Sequence, residues 1–239
     1  MYSRIYRLAS RLKGTILHPQ WLSDRCHYHS RKTLSDIRDS LILDVGSGAS
    51  QHEGNLDCSN RLLRLDYPAT NSAYACTPDI YADVSRLPVR DQAVDVVLLL
   101  EVLEHVQDER IALSEIFRVL KPGGRLYLSV PFVYPLHDVP HDYRRFTIYG
   151  LRWLLTQAGF TVRQEQQHGH SILTTLQMIN LLLLEMVRDL ALRSKYLGVV
   201  VAALAYPLCL ACNLLALPVL NISWRSASCF GYFLIAERP

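Results

Sequence analysis

Two groups of residues in this 239-residue sequence have the types and spacing to do chemistry. The first is D-V-G-S-G-A-S, Asp44 to Ser50, followed by a lone acid, Asp66, 20 residues past Gly46. Glycines at 46 and 48 let the backbone approach a ligand closely and take dihedrals closed to other residues. An acid at position 66, ending the next apolar run, can accept hydrogen bonds from both hydroxyls of a ribose. A dinucleotide would want a third glycine at position 51, where the chain has Gln51, so an adenosine ligand without a pyrophosphate fits better.

The second group is V-P-F-V-Y-P-L-H-D-V-P-H-D-Y-R-R-F-T, Val130 to Thr147. His137, Asp138, His141 and Asp142 stand ahead of Tyr143, Arg144 and Arg145 in this loop. An imidazole that titrates near neutrality suits the removal of a proton from a weak nucleophile. His141, paired with Asp142 or Asp138, is the first candidate and His137 the second. The competing reading is structural, with Asp142, Tyr143 and Arg145 knitting the loop together and capping the helix after it. No metal site is expected: Pro135 and Pro140 spoil helical spacing in H-D-x-x-H-D, Cys209 and Cys212 lack a second pair, and C-H-Y-H-S from Cys26 is too compact.

Elements must hold these groups in place. Strand-like apolar runs at Leu41 to Val45, Leu62 to Leu65, Ile80 to Ala82, Val94 to Leu100 and Leu126 to Val130 alternate with helical or turn-rich segments. That alternation predicts a parallel sheet covered by helices, with ligands beyond the carboxyl ends of its strands. Helical spacing in Q-D-E-R-I-A-L-S-E-I-F-R-V-L-K-P-G-G predicts a helix halted by Pro122, Gly123 and Gly124, and Thr147 reads as the N-cap of another. The sequences F-T-V-R-Q-E-Q and C-F-G-Y-F-L-I-A-E add two late strands. Between Gly48 and Arg61 there is room only for a stubby helix.

With L-I-L-D-V-G-S-G, R-L-D-Y, Y-A-D-V-S-R-L-P-V-R-D-Q-A-V-D-V-V-L-L-L-E-V-L-E-H-V and E-I-F-R-V-L-K-P-G-G-R-L-Y-L-S-V-P in this order, residues 41 to 131 resemble the class I S-adenosylmethionine-dependent methyltransferases, in particular the type 11 methyltransferase-domain family. The resemblance implies an α/β fold, a Rossmann-like seven-stranded and mostly parallel sheet with helices on both faces, and S-adenosyl-L-methionine as cofactor. On the matching positions, Gly46, Ser47 and Gly48 would wrap the amino-acid end of the cofactor, Asp44 would support its ammonium indirectly, and Asp66 would hold the ribose. Asp83 would accept from the adenine amino group, the amide of Val84 would meet a ring nitrogen, and Glu101 to His105 would line the cleft. Ala49 and Ser50, where many members have a further glycine, depart from the family pattern. The loop from Val130 is similar to one in members associated with glycan and cell-surface polysaccharide assembly.

The remaining signal is apolar. Leu197 to Leu220 carries no charge over 24 residues, and Ser171 to Glu185 is nearly as apolar. Both fall between two strands of one sheet, so any crossing of a bilayer must be even in number. A short first segment and a helix-breaking Pro207 favour a re-entrant or interface-lying pair over spans, with a soluble lid or dimer face as the rival. The first 38 residues hold eight Lys or Arg against two Asp, a basic amphipathic segment suited to an anionic membrane surface and too confined to argue for nucleic acid. The expected organisation is a basic helical segment over 1–38, the core over 39–168, a hydrophobic helical insertion over 169–228 and a last strand over 229–239. The start of the chain lacks the continuous apolar run of a secretory signal, and six cysteines without a framework suggest reduced thiols, so the catalytic part is expected in the cytoplasm, peripheral or monotopic at the membrane.

These readings converge on methyl transfer to a small-molecule or lipid-linked acceptor, a glycan sugar first. A quinone or other prenylated ring is the rival acceptor, and a catalytically silent cofactor-binding assembly partner is the rival class.

Overall fold

The computed structural model describes residues 12–48, 53–68, 77–222 and 226–239. In chain order the elements are α1 (Trp21–Cys26), α2 (Tyr28–Leu34), β1 (Leu41–Val45), β2 (Arg61–Asp66), β3 (Ile80–Tyr81), β4 (Val94–Leu100), α3 (Glu109–Val119), β5 (Leu120–Pro131), α4 (Ile148–Gln157), β6 (Thr161–His168), α5 (Ser171–Arg193), α6 (Lys195–Ala216) and β7 (Gly231–Glu237). The strands form one seven-stranded sheet in the order β3-β2-β1-β4-β5-β7-β6. β1 pairs in parallel with β2 and β4, β4 with β5, and β2 with β3, while β7 runs antiparallel to β5. The order reverses at β1, and the ligand-facing ends of β1, β2 and β4 therefore lie side by side.

The chain divides into two compact units. The larger takes in 29–132, 136–166 and 231–239 and contains most of the sheet. Its central strands β1 and β4 are buried along most of their length, the pattern of parallel strands covered on both faces. One layer is the buried cluster of Leu34, Ile37, Ile42, Val96, Leu98, Tyr127, Phe233 and Ile235. Asp108 caps α3 by accepting from the amides of Arg110 and Ile111, both at 3.1 Å, and Thr147 Oγ1 caps α4 by accepting from Gly150 at 3.1 Å.

One local expectation is corrected. α3 ends at Val119, and Leu120 already belongs to β5, so the K-P-G-G turn lies inside an irregular strand rather than after the helix. Gly123 takes φ +78° there and its amide donates to the Arg238 carbonyl at 2.7 Å, so the turn is absorbed by pairing with the chain end. Among its described residues, the connection after β1 carries a 3-10 turn, Glu53–Asn55, in keeping with the stubby helix its length allows.

The second unit takes in the described part of 1–28, with 133–135 and 167–230. α5 and α6 are 23 and 22 residues long and share Ser194 as C-cap of one and N-cap of the other, which makes them an antiparallel hairpin. Pro207 sits within α6 and does not break it, and α5 runs on to Arg193 rather than stopping near Glu185, against the sequence expectation of two interrupted segments. The helices approach closely at Gly198, where an added Cβ would stand 2.5 Å from the Ala191 Cβ. Asn180 Nδ2 donates to Asn213 Oδ1 and to the Pro19 carbonyl, both at 3.0 Å, while Asn213 Nδ2 donates to the carbonyls of Ile16 and His18 at 2.7 and 3.0 Å. Buried amides thus satisfy the irregular backbone that crosses the hairpin. Most of the expected basic stripe, from Arg4 to Arg11, lies outside the described residues.

Candidate active site

β1 delivers the chain into a glycine turn at its carboxyl end. Gly46 and Gly48 take φ of +72° and +50°, left-handed values that a side chain opposes. A Cβ at Gly46 would stand 2.4 Å from Val102 Cγ2, whereas at Gly48 it would meet nothing within 4 Å. The first glycine is required by the turn after β4, and the second leaves open space above the loop. The amides of Gly46 and Ser47 donate to the Leu65 carbonyl at 2.8 and 3.1 Å, and the amide of Gly48 donates to Asp66 Oδ2 at 2.7 Å. Asp66 Oδ1 accepts from Tyr67 at 2.7 Å. Each carboxylate oxygen has a further lone pair, so the buried Asp66 can brace the loop and still receive ribose hydroxyls.

Asp44 is buried one strand over, and its carboxyl is pushed up to about 7, first by burial and then by the neighbouring Asp66 carboxylate. A group held near its titration point in this way gains from a cation such as an ammonium. Ser47 is buried too, and its hydroxyl has no hydrogen-bond partner among the described residues. Asp83 is exposed and accepts from the Ser85 amide at 2.8 Å, capping a turn that buries Val84. Asp44, Gly46, Ser47, Gly48 and Asp66 thus share one continuous edge, with Asp83 and Val84 following β3. An adenosine ligand with a cationic amino-acid end fits that set of donors and acceptors.

Glu101 follows β4 with φ +57°, an uncommon backbone for a residue with a side chain and one that gathers at functional sites. Its amide donates to the Ser129 carbonyl at 2.9 Å, and its Oε1 accepts from the Ser129 hydroxyl. This turn joins the glycine loop, through Val102, to the acceptor-side loop.

That loop is fastened to the β4 turn along its length. Tyr143 donates its amide to the Glu104 carbonyl at 2.9 Å, and Arg144 donates to the carbonyls of Val106 and Gln107 at 2.7 and 2.9 Å. Asp142 receives both terminal nitrogens of Arg145, at 2.5 and 2.7 Å, and that guanidinium holds its carboxyl down at about 2. Asp142 also accepts the His137 amide at 3.0 Å, and the Nδ1 of His137 lies 3.2 Å from its Oδ2.

These contacts correct the preference for His141. Asp142 partners His137, not His141, because the turn at Val139 and Pro140 folds residue 137 back over residue 142. His141 is exposed, its Nδ1 lies 3.1 Å from the Tyr143 hydroxyl, and its carbonyl accepts from His105 Nδ1 at 2.9 Å. Asp138, the other proposed partner, is exposed at φ +49°, and its carbonyl accepts from the His141 amide at 3.1 Å. The structural reading of Asp142, Tyr143 and Arg145 is also realised, since all three tie the loop.

The residue that sequence reasoning left in the cleft lining with no chemical role of its own is Glu104. It is fully buried, and neither carboxylate oxygen has a hydrogen-bond partner among the described residues. Burial first, and Glu101 next, push its carboxyl well above the usual range. The Nε2 atoms of His105 and His137 lie 3.7 and 3.9 Å from its Oε1. Its signal in the sequence was an acid set between buried positions, Leu103 and Val106, directly before a histidine. His105, expected to line the cofactor cleft, therefore belongs to the same polar cluster.

A sequence model described as a methyltransferase domain matches residues 43–128, which contain the glycine loop, Asp66, Asp83 and Glu101. Residues 43–128 are thus similar to a methyltransferase domain. The match spans β1 to β5, the part of the sheet that carries the cofactor edge. A Mycolicibacterium smegmatis protein named "Probable S-adenosylmethionine-dependent methyltransferase" is 33% identical over 133 residues, 51% of this chain and 52% of that protein. The ubiquinone/menaquinone biosynthesis C-methyltransferase UbiE of Vibrio parahaemolyticus is 32% identical over 120 residues, 43% of this chain and 46% of its own length. The chain thus spans about half the length of the curated relatives it matches. Among solved structures, the 1,6-didemethyltoxoflavin-N1-methyltransferase of Burkholderia thailandensis, with bound S-adenosylhomocysteine, superposes with a TM-score of 0.50 at 17% identity, covering 96% of this chain and 80% of that one. At that identity the likeness speaks for the methyltransferase fold and not for a shared substrate.

Proposed function

We propose that this chain is an S-adenosylmethionine-dependent methyltransferase that works at a membrane face on a lipid-linked acceptor, a hydroxyl of a glycan sugar. The observation that carries the membrane part is the exposed apolar surface of the hairpin. On α5, Ile172, Ile179, Leu182 and Met186 form one exposed stripe, and on α6, Leu197, Val200, Leu204, Leu208 and Leu215 form another. Only 28% of the apolar window of each helix is buried. A patch of this extent marks a membrane or protein contact rather than an ordinary soluble surface.

Both helices are long enough to cross a bilayer, about 34 Å for α5 at 1.5 Å per residue. Composition favours a shallower seat. The last turns of α5 carry Glu185, Arg188 and Asp189, all more than half exposed, and α6 opens on Lys195. A hairpin lying in the interface can keep those charges in water and bury its apolar stripes.

S-adenosylmethionine supplies a methyl group on a cationic sulfonium. The chain's own residues then have three tasks. Asp66 and the Gly46–Gly48 loop hold the cofactor, Glu101 and Val102 join its edge to the acceptor loop, and the cluster of Glu104, His137 and Asp142 deals with the acceptor's proton. His137, backed by Asp142, is the imidazole of the loop that faces this cluster. Such a polar cluster suits a sugar hydroxyl better than an apolar ring. The quinone reading draws on the Vibrio parahaemolyticus relative, whose name gives it a quinone pathway.

Mass spectrometry after incubation of the protein with methyl-labelled cofactor and membrane lipid extract tests the acceptor. Label on a sugar oxygen supports the proposal. Label on a quinone ring carbon replaces it with the second reading, and cofactor binding without transfer to any component identifies a silent assembly partner.

A further inference from the structure

The geometry points to a divalent transition-metal site formed by Glu104, His105 and His137 at the junction of the β4 turn and the acceptor loop. The three side chains offer one carboxylate oxygen and two imidazole nitrogens, all within 4.8 Å of one another. Two His and one acid with positions left open is a donor set that suits zinc and neighbouring divalent cations in catalytic sites.

The outer groups fix the rings for this task. His105 Nδ1 lies 2.9 Å from the His141 carbonyl, which can only accept, so the neutral ring carries its proton on Nδ1 and turns the Nε2 lone pair toward Glu104. His137 has the Asp142 carboxylate 3.2 Å from Nδ1 and its Nε2 toward the same Glu104 oxygen. A carbonyl or carboxylate behind the far ring nitrogen is the usual support of a metal-bound histidine. Ligands at about 2.0 to 2.1 Å from a tetrahedral cation stand about 3.3 Å apart. The observed 3.7 and 3.9 Å therefore need to shorten by roughly half an ångström, and the widest separation in the set, up to 4.8 Å, by up to about 1.5 Å.

One observation asks for a cation: Glu104 is fully buried with both oxygens unpartnered among the described residues, a costly arrangement for any carboxyl group. A cation held between its Oε1 and the two imidazole Nε2 atoms that face it would satisfy that oxygen.

The site does not depend on the proposed acceptor; only its role does. In that reading the cation would supply Lewis acidity at the acceptor oxygen, and His137 would serve as a ligand rather than as receiver of the proton.

Full-length protein, stripped with a chelator and dialysed, should bind one Zn2+ or Co2+ per chain, read by calorimetry and by the visible absorption of bound Co2+. Glu104→Gln and His137→Ala should each abolish the Co2+ absorption, and Asp142→Asn should weaken binding about 10- to 100-fold. Binding of S-adenosylhomocysteine by each variant shows that it is folded. Absence of Co2+ and Zn2+ binding in the wild type overturns the site, as does binding that stays unchanged in Glu104→Gln and His137→Ala. Metal binding without methyl transfer to a sugar would leave the site standing and refute the acceptor reading alone.

Discussion

Asp66 accepts the backbone amide of Gly48 at 2.7 Å, so the acid that ends β2 also holds the glycine turn that ends β1. Cofactor grip and loop shape are one device. Asp66→Ala should therefore weaken both S-adenosylmethionine and S-adenosylhomocysteine, with each lost charge-assisted hydrogen bond contributing roughly 1.5 to 3 kcal/mol. Calorimetry is the check, and unchanged affinity would remove Asp66 from the site.

Gly46→Ala tests the joint between the two loops. It combines φ +72° with a 2.4 Å approach to Val102 Cγ2, and backbone strain of that kind costs about 1 to 3 kcal/mol. Thermal unfolding should show the loss, and adding Val102→Ala should recover the steric part but not the backbone part. Full additivity of the two substitutions would mean that the contact carries no energy.

The pH dependence follows from Asp44, whose carboxyl sits at about 7 in the fold instead of near 4. A raised folded value means the contribution to stability is fully present below the unfolded value and is lost as pH rises through about 7. The ligand-free protein should thus lose stability between about pH 4 and pH 7, and Asp44→Asn should flatten that decline. Cofactor affinity should run the other way, rising as Asp44 ionises opposite the ammonium. An affinity that is flat across this range in wild type would detach Asp44 from the cofactor.

Most of the cofactor edge was legible in the sequence because its parts are local and ordered along the chain. Asp44, Gly46 and Asp66 occupy strand ends whose apolar runs announce them. The acceptor loop was legible in composition but not in pairing. Whether Asp142 meets His137 or His141 depends on how the chain folds back at Val139 and Pro140, which no spacing rule gives. Glu104 was hidden because its importance comes from burial and from two histidines, one of them 33 residues further on. The hairpin was misread in detail, since a proline within α6 is a breaker by propensity, while packing against α5 carries the helix through it.

His137→Ala should lower methyl transfer by about 100-fold or more, and His141→Ala by much less than that. Cofactor affinity should hold in both. Equal, small effects would assign the whole loop to structure.

Leu204→Glu and Leu208→Glu place charge on residues that are 67% and 54% exposed, so neither disturbs the hairpin core. Flotation with anionic vesicles should show membrane binding reduced in both variants at unchanged cofactor affinity. Vesicle binding equal to wild type would move the apolar face to a protein partner.

The central claim is methyl transfer to an acceptor carried by lipid. Protein incubated with methyl-labelled S-adenosylmethionine and whole membrane extract, then partitioned between organic solvent and water, should place the label in the organic phase, and Asp66→Ala should abolish it. Label confined to water-soluble acceptors, or organic-phase label that survives in Asp66→Ala, would contradict the account.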